Sequence, residues 1–246
     1  TRPENLEELK KRVLDGGLEF GVGFDGDSDR IGVIDDRGQI LWGDRLLALF
    51  ARNVLEEHPG SSVIFEVKCS QSLEEDISKH GGRPIMWKTG HSLIKKKMRE
   101  EGALLAGEMS GHIFFADRYF GFDDAIYAAC RLLEIASRKR EKISELLSDL
   151  PTYESTPEIR IDCPDEEKFQ VVEKVRDHFK QTHSVIDVDG ARIQFDGGWG
   201  LIRASNTQPV LVLRFEAKER ETLERIIGEF ETVLRVHTDV ASICWE

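Results

Sequence analysis

Residues 63–87, VIFEVKCSQSLEEDISKHGGRPIMW, contain a predicted strand, a helix and a second strand in direct succession. Residues 63–67 are a mostly apolar run of the length that buried strands have, and residues 71–80 carry helical spacing up to the glycines at 81–82. Residues 84–87 form the second strand. Strands and helices that follow one another in this way are typical of α/β proteins, whose helices cover a sheet.

The same alternation continues on both sides of this stretch. Further helices are predicted over residues 43–57, 91–101 and 122–137, and further strands over residues 103–107 and 112–115. Residues 40–151 are therefore predicted to form a layered αβα domain.

The chain before residue 40 carries a helix and a pair of strands. Residues 4–15 have a helical pattern that ends at Gly16-Gly17, and residues 18–24 and 31–34 are short apolar strands. We expect residues 1–39 to be the C-terminal remnant of a further α/β domain, because about 39 residues are too few for a domain to fold alone. This remnant must then pack on the domain that follows it, or lie partly exposed.

The order of elements changes after residues 151–157, a polar stretch bracketed by two prolines and predicted to be a linker. Beyond it, strands are predicted over residues 158–162, 184–187, 191–195, 199–203 and 210–216, and helices over residues 165–180 and 219–236. Strands grouped between two helices are typical of an α+β domain with an antiparallel sheet. Residues 152–246 are therefore predicted to form such a domain, smaller than the first.

The composition is ordinary for a soluble globular protein, with 246 residues of which 40% are apolar and 33% charged. The net charge of −12 argues against nucleic acid or an anionic membrane as a partner, but it permits a local basic pocket for a phosphorylated small molecule. No apolar run approaches the roughly 20 residues of a membrane span, and no signal peptide opens the chain. The start at Thr1, just before a helix, indicates the middle of a longer protein.

The four cysteines are far apart and form no C-x-x-C pair. They are Cys69, Cys130, Cys163 and Cys244. This usage predicts reduced, mostly structural thiols in a cytoplasmic protein.

An acidic loop, DGDSDR at residues 25–30, lies between the first two strands. Asp25, Asp27 and Asp29 would repel one another unless a cation neutralises them, and oxygen ligands with no Cys or His nearby favour Mg²⁺ over Zn²⁺. The alternative is a solvated acidic hairpin tip. Arg30 can grip a phosphoryl oxygen beside the metal, or form a plain salt bridge to a neighbouring aspartate.

Two other motifs overlap this loop, and both are rejected. Residues 21–26 fit the dinucleotide pattern G-x-G-x-x-G, but a strand follows where that motif needs a helix. The aspartates also match the first positions of an EF-hand loop. Here Arg30 stands where the EF-hand needs glycine, and strands rather than helices flank the loop.

Two further polar groups are candidate ligand sites. In GEMSGH, residues 107–112, a sharp turn can project Glu108, Ser110 and His112 towards sugar hydroxyls or a phosphate; the alternative is an ordinary hairpin. A second group lies at a strand end and can form a phosphate nest, or a polar turn that binds nothing. It consists of Arg203, Ser205, Asn206 and Thr207.

Three basic segments complete the candidates. Lys68 follows a buried strand and His91 begins a helix, and each is either a substrate contact or a structural residue. Lys95-Lys96-Lys97 is predicted to be a solvent face and not a nucleic-acid patch.

Together and in order, these segments resemble the α-D-phosphohexomutase superfamily, and within it the phosphomannomutase/phosphoglucomutase group. The matching strings are DGDSDR at 25–30, VKCS at 67–70, WKTGHS at 87–92, GEMSGH at 107–112 and RASNTQP at 203–209. The resemblance runs over essentially the whole chain. It implies four domains around one cleft, with residues 1–39 at the end of domain 2, about 40–151 in domain 3 and 152–246 in domain 4. Domain 1, with the family's phosphorylated active-site serine, has no counterpart in this sequence.

The resemblance also implies roles for the candidate residues. Asp25, Asp27 and Asp29 would bind Mg²⁺, Arg30 would stabilise the transferring phosphoryl group, and Lys68 and His91 would contact substrate and assist proton transfer or charge stabilisation. Glu108 and Ser110 would hold two sugar hydroxyls, with His112 close by. Arg203, Ser205, Asn206 and Thr207 would clamp the phosphate that does not react.

The implied activity is an isomerase reaction, the exchange of hexose 1-phosphate and hexose 6-phosphate through a phosphoserine enzyme and a 1,6-bisphosphate. The isolated chain is expected to be inactive and to bind Mg²⁺ weakly, and the intact enzyme is expected to be a monomer. Two alternatives are a phosphoglucosamine mutase, which more often has Gln at the position of Met109, and a non-catalytic sugar-phosphate-binding subunit.

Overall fold

The chain divides into two compact units in the computed structural model, which describes residues 3–237. The N-terminal unit is Thr1–Pro151 and the C-terminal unit is Thr152–Glu246. Cys244 lies outside the described residues. In the described part of the chain, no helix has the length and apolar character needed to span a membrane.

The N-terminal unit begins with a helix and a small antiparallel sheet. A 3-10 helix, Pro3–Leu6, leads into α1 (Glu7–Gly16), and the strands β1 (Phe20–Phe24), β2 (Ile31–Asp35) and β3 (Ile40–Leu41) pair in that order. Helix α1 ends at Gly17, whose φ of 58° is left-handed, so a residue without a side chain suits this cap. The predicted helix and first two strands are confirmed within about two residues. Strand β3 was not predicted, because two residues carry no periodic signal.

The rest of the N-terminal unit alternates helices and strands. Its elements are α2 (Gly43–Glu57), β4 (Ser62–Glu66), α3 (Gln71–Lys79), β5 (Arg83–Trp87), α4 (His91–Glu101), β6 (Leu105–Gly107), β7 (Ile113–Phe115), α5 (Ala125–Arg138) and α6 (Ile143–Leu146). The sheet order is β5-β4-β6-β7, with β4 parallel to both β5 and β6, and β7 antiparallel to β6.

The two faces of this sheet are covered by different helices. Val63 and Phe65 of β4 belong to one buried cluster with residues of α2, α3 and α5. Ile64, between them, packs in a second cluster with Ile94 and Met98 of α4. Successive side chains of a strand point to opposite faces. The predicted αβα layering is therefore confirmed.

The first 39 residues pack on the layered domain and also expose apolar side chains. Ile31 and Val33 of β2 share the larger buried cluster with α2. Leu14, Leu18 and Phe24 are 49%, 50% and 47% exposed. Both outcomes expected for this segment therefore occur together.

The C-terminal unit is an antiparallel sheet with two helices. Its elements are β8 (Glu154–Ser155), β9 (Ile159–Asp162), α7 (Asp165–Phe179), β10 (Ser184–Ile186), β11 (Ala191–Phe195), β12 (Gly198–Ala204), β13 (Val210–Ala217) and α8 (Arg220–His237). The strand order is β10-β11-β12-β13, and β13 pairs along its length with both β9 and β8. Both helices contribute to one buried cluster with β11, β12 and β13. The predicted α+β fold is confirmed.

The predicted linker at residues 151–157 is wrong in part. Glu154 and Ser155 form β8 and pair with Ala217 and Glu216. The Thr156 N–H donates to the Phe215 carbonyl at 3.0 Å, and the Thr156 hydroxyl accepts from the Phe215 N–H at 3.1 Å. The stretch is polar because it is an edge strand, and its partner lies about 60 residues further along the chain, where no local pattern reveals it.

Candidate functional site

The acidic loop is the tip of the β1–β2 hairpin. One carboxylate oxygen from each of Asp25, Asp27 and Asp29 lies within 4.8 Å of the others. Ser28, in the middle of the loop, has a left-handed φ of 61°, and its N–H donates to the Asp25 carbonyl at 3.2 Å. The tight turn thus brings three like charges close to one point.

The surroundings of these carboxylates fit a cation. The Arg30 N–H donates to Asp25 Oδ1 at 3.1 Å. Burial opposes ionisation of Asp25, but this hydrogen bond and the Arg30 charge outweigh it and lower the pKa. Within residues 3–237, Asp29 Oδ1 is a buried atom that accepts no hydrogen bond, with Arg30 Nε 3.7 Å away. An oxygen-only donor set with an unsatisfied lone pair suits Mg²⁺.

The GEMSGH loop, residues 107–112, lies against the acidic loop. The Ile31 N–H donates to the Gly111 carbonyl at 3.1 Å, and Arg30 and His112 form a bridge between the two backbones. Gly111 has a φ of 100°, and a Cβ there would lie 2.5 Å from the Ile31 carbonyl oxygen. Glycine is required at this position for the two loops to meet.

Glu108 is the buried centre of this second loop. One carboxylate oxygen lies 2.6 Å from His112 Nδ1, and the other accepts from the Gly90 N–H at 2.6 Å. Burial opposes ionisation of Glu108, but the hydrogen bonds from His112 and Gly90 lower its pKa. Each carboxylate oxygen has two lone pairs, so Glu108 can still accept a bond from a ligand hydroxyl.

His112 joins the two loops through both of its ring nitrogens. Its Nε2 lies 3.2 Å from Arg30 Nε, which can donate to it, and 3.3 Å from Asp29 Oδ2. Burial opposes protonation of the ring, but the hydrogen bond to Glu108 outweighs this effect and raises the pKa of His112. A neutral ring accepts from Arg30, whereas a protonated ring donates to Asp29. The Ser110 hydroxyl lies 3.0 Å from Nδ1.

His91, at the start of α4, is held by a carboxylate that the sequence analysis missed. His91 Nδ1 lies 3.0 Å from Asp123 Oδ2, and Lys95 Nζ lies 2.8 Å from Asp123 Oδ1. The His91 side chain is 55% exposed, and its ring stacks on His112 at a centroid distance of 5.9 Å. Nothing in the sequence distinguishes Asp123, because it directly precedes Asp124, the N-cap of α5, and the two read as one acidic helix start.

The expected solvent face at residues 95–97 is wrong for two of the three lysines. Lys95 is 26% exposed and pairs with Asp123, and Lys97 is 16% exposed, pairs with Glu101 and lies over the Trp87 ring. Consecutive residues of an α-helix are about 100° apart around its axis, so three of them cannot share one face.

Lys68 is held by Glu66, a second residue that the sequence analysis missed. The Lys68 side chain is 12% exposed, and its Nζ lies 3.5 Å from Glu66 Oε1. Glu66 is fully buried, and it also accepts from the Thr89 hydroxyl at 2.5 Å and from the Met109 N–H at 3.1 Å. Burial raises the pKa of Glu66, against the opposing charge of Lys68. The sequence feature that could have identified Glu66 is its place in an otherwise apolar strand.

These side chains meet at one edge of the four-stranded sheet. Lys68 follows β4, His91 follows β5 and Glu108 follows β6, and these three strands are parallel neighbours. The carboxyl ends of parallel strands are where α/β folds form ligand sites. The N-terminal unit therefore brings together the predicted residues Asp25, Asp27, Asp29, Arg30, Lys68, His91, Glu108, Ser110 and His112.

The remaining candidates lie in the C-terminal unit, where β12 runs into the turn before β13. Arg203 is mostly buried, and its Nε donates to Asp189 Oδ2 at 3.0 Å. The Ser205 hydroxyl accepts from the N–H groups of Thr207 and Gln208 at 3.3 and 3.2 Å. Two of the backbone donors expected in a phosphate nest are thus used inside the turn. The side chains of Asn206 and Thr207 are exposed.

Two family models match the chain. Residues 42–153 match the phosphoglucomutase/phosphomannomutase alpha/beta/alpha domain III, and residues 158–233 match the phosphoglucomutase/phosphomannomutase C-terminal domain.

Similar proteins carry related names. A phosphomannomutase/phosphoglucomutase of Pseudomonas putida is 52% identical over 241 residues, which are 97% of this chain and 52% of that protein. A phosphoglucomutase of Neisseria gonorrhoeae is 48% identical over 237 residues, 95% of this chain and 51% of that protein. The crystal structure of a phosphoglucomutase/phosphomannomutase family protein from Burkholderia thailandensis matches with a TM-score of 0.89 and 44% identity, over 96% of this chain and 50% of that one.

The chain spans about half the length of these relatives. Its matches are to the third domain and the C-terminal domain of the family, in that order. The chain therefore belongs to the phosphoglucomutase/phosphomannomutase family, within the α-D-phosphohexomutase superfamily, and corresponds to the C-terminal part of its longer members.

Proposed function

We propose that this chain is the C-terminal part of a phosphohexomutase that interconverts hexose 1-phosphate and hexose 6-phosphate. The observation that carries the proposal is the meeting of the acidic loop, Glu108, His112 and His91 at one sheet edge, within a chain of this family. Residues 1–39 are then the end of domain 2, residues 40–151 are domain 3 and residues 152–246 are domain 4.

Mg²⁺ is the proposed cofactor, held by Asp25, Asp27 and Asp29. The unsatisfied Asp29 Oδ1 and the lowered pKa of Asp25 support a bound cation there. When bound, Mg²⁺ supplies Lewis-acid stabilisation of a phosphoryl group. The Arg30 guanidinium has its Nε within 3.7 Å of Asp25 and Asp29, so it is placed to stabilise negative charge beside the same loop.

Glu108 and Ser110 are the proposed contacts to sugar hydroxyls, with His112 beside them. Lys68 and His91 are proposed to contact the substrate and to assist proton transfer or charge stabilisation. Asp123 Oδ2 and Lys95 Nζ lie 3.0 and 3.2 Å from His91 Nδ1, so both hold the imidazole ring in position. Glu66 fixes the position of the Lys68 ammonium.

The C-terminal unit is proposed to hold the phosphate that does not react, through Arg203, Ser205, Asn206 and Thr207. In the proposed reaction a phosphoserine, which has no counterpart among the motifs of this chain, gives its phosphate to the free sugar hydroxyl of the hexose 1-phosphate. The resulting 1,6-bisphosphate turns over and returns its other phosphate to the serine, releasing the 6-phosphate. This chain alone is proposed to be inactive.

A cytoplasmic location and a monomeric intact enzyme go with this proposal. Cys69, Cys130 and Cys163 are free thiols, which suits a reducing compartment.

Calorimetric titration of the 246-residue chain with glucose 1-phosphate, mannose 1-phosphate and glucosamine 1-phosphate tests the proposal. We expect saturable binding that Arg203→Ala removes. Arg225→Ala, which removes the same charge from an exposed position of α8, should bind like the wild type. Tighter binding of the glucose or mannose ester would support the hexose assignment. Equal binding by wild type and Arg203→Ala, or preference for the glucosamine ester, would contradict it.

A further inference from the structure

A buried lysine lies beneath the turn that carries Ser205, Asn206 and Thr207. Lys168 is in the first turns of α7, and only 4% of its surface is exposed. Its Nζ donates to the Ser205 carbonyl at 2.5 Å and to the Gln208 carbonyl at 3.0 Å. Burying an ammonium costs free energy unless it is fully hydrogen-bonded. We therefore looked for a role of Lys168 in the site above it.

The ammonium has no donor left for a ligand. A lysine side chain carries three N–H donors. Besides the two carbonyls, Lys168 Nζ lies 2.6 Å from Asp165 Oδ1, so three acceptors match three donors. Lys168 therefore cannot bind a phosphate directly without breaking one of these contacts, and its effect on a ligand must act through the turn.

The bond to the Ser205 carbonyl fixes the direction of the next amide. In a planar trans peptide the C=O and the N–H point in opposite directions. The described backbone contains no cis peptide bond. Because the Ser205 carbonyl points at the buried ammonium, the Asn206 N–H points away from Lys168. Asn206 itself is an exposed residue.

The Ser205 hydroxyl is oriented by the same turn. Its oxygen accepts from the N–H groups of Thr207 and Gln208, so its two lone pairs are used and its proton is left to donate. Pinning the carbonyls of Ser205 and Gln208 holds both ends of the segment that makes these bonds. A backbone amide and a hydroxyl that still has its proton to donate are groups that suit an anion.

We propose that Lys168 is a positioning residue of the phosphate site, which holds the carbonyls of Ser205 and Gln208 inward so that the Asn206 N–H and the Ser205 hydroxyl face the phosphate. This inference rests on the proposed function of the turn as a phosphate clamp. The phosphate site is then supported by helix α7, which lies outside the motif RASNTQP.

The experiment uses the whole chain and three variants. Lys168→Met keeps the aliphatic stem and removes the ammonium, and Lys168→Arg restores a cation that can donate to two carbonyls. Lys174→Met is the matched control, since it removes the same charge from an exposed position of the same helix. The readouts are amide hydrogen exchange of residues 205–208, the Asn206 amide shift on addition of inorganic phosphate, and calorimetric affinity for phosphate and glucose 1-phosphate.

We expect Lys168→Met to speed amide exchange in the turn and to weaken phosphate binding by about tenfold, the loss that one charge-assisted hydrogen bond typically causes. Lys168→Arg should recover part of the affinity, and Lys174→Met should match the wild type. In the wild type, phosphate should shift the Asn206 amide. If Lys168→Met does not fold, the phosphate affinity of Lys168→Arg and the phosphate-induced shift of the wild-type Asn206 amide still test the proposal.

Two outcomes would overturn the inference. One is unchanged exchange and affinity in folded Lys168→Met. The other is phosphate binding by the wild type that leaves the Asn206 amide unshifted. If the wild type binds no phosphate while Lys168→Met still frees the turn, the phosphate function fails and the positioning of the turn by Lys168 stands.

Discussion

Glu108 and His112 stabilise each other's charged forms inside the N-terminal unit. Their side chains are 3% and 8% exposed, and the distance of 2.6 Å between Oε2 and Nδ1 is that of a charge-assisted hydrogen bond. Removing one partner of such a pair is more destabilising than the pair itself is stabilising, because the other group is left buried without a partner. The stability of this site should therefore depend on pH.

The pH dependence has a defined window. The pKa of His112 is raised, so its contribution to the free energy of unfolding is complete below its ordinary pKa of 6.5 and is lost as pH rises through the higher value of the folded protein. The pKa of Glu108 is lowered, so its contribution is complete above 4.5 and is lost as pH falls through the lower folded value. Both contributions are complete between pH 4.5 and 6.5.

Urea unfolding in EDTA across this range measures the effect. The stability difference between wild type and His112→Gln should be greatest near pH 5.5, at about the middle of the window, and narrow on either side. His58→Gln, at an exposed position, serves as the control and should show no such maximum. A difference that is constant with pH would show that the two groups do not interact as described.

The acidic loop should bind Mg²⁺ weakly in this chain. Three aspartate oxygens leave about half of an octahedral Mg²⁺ shell to water, and in the proposed reaction one further oxygen comes from a phosphoserine outside these motifs. Calorimetric titration should give weak binding that Asp29→Asn abolishes, since this change removes the negative charge of a carboxylate that has a buried, unsatisfied oxygen. Tight binding by the wild type would contradict this expectation.

Among the helices, α2 begins where there is no room for a side chain. A Cβ on Gly43, its first residue, would lie 2.2 Å from the Glu108 carbonyl oxygen and 2.9 Å from that of Met109. Both obstacles are backbone atoms, which cannot rotate away as a side chain does. The start of α2 therefore fixes the backbone of the loop that carries Glu108.

Replacing Gly43 by alanine should destabilise the N-terminal unit by about 1–3 kcal/mol, the usual cost of overpacking. The matched control is Gly228→Ala in α8, where a Cβ has no neighbour within 4 Å. That change should stabilise by about 0.5–1 kcal/mol, because alanine favours helix. Chemical unfolding measures the free energy of unfolding of both variants. Equal changes in Gly43→Ala and Gly228→Ala would rule out the steric explanation.

The longer elements could be predicted from the sequence and the shortest could not. Helices α2 and α4 begin and end at the predicted residues, because each has several turns of amphipathic spacing and a clear end. Strands β3 and β8 are two residues long, and helix α6 is four. Elements of that size form only because a partner already exists, and a local pattern contains no information about a distant partner.

The site shows the same division between local and distant information. The sequence motifs contain most of the residues that form the site, because each motif is a continuous stretch of the chain. Glu66, Asp123 and Lys168 were missed, because each contacts a residue that is distant in the sequence. Their partners are Thr89, His91 and Ser205, which lie 23, 32 and 37 residues away. Their roles follow from contacts that only folding creates.

For the molecule as a whole, the C-terminal unit has a hydrophobic core of its own. Phe230 of α8 contacts Phe179 of α7 and Phe215 of β13, with ring centroids 4.8 and 5.0 Å away. The cluster around it contains residues of this unit only. Residues 152–246 should therefore fold as a separate chain with a cooperative unfolding transition.

Phenylalanine variants of that separate chain test the claim. Phe230→Ala should cost about 3–5 kcal/mol, as large-to-small changes in cores do, and will leave the chain largely unfolded. Phe169→Ala removes the same group from a side chain that is 54% exposed and should have little effect. Circular dichroism with urea provides the measurement; a broad transition without cooperativity in the unchanged chain would contradict independent folding.

The carboxylate of Glu66 constrains how this sequence can evolve. One side chain receives the Thr89 hydroxyl, the Met109 amide and the Lys68 ammonium, from three separate motif segments. A mutation at Glu66 disturbs all three segments at once, whereas a mutation in one segment leaves the other two contacts in place. We therefore expect that related sequences without this glutamate also differ at Lys68 or Thr89, which an alignment of such sequences would check.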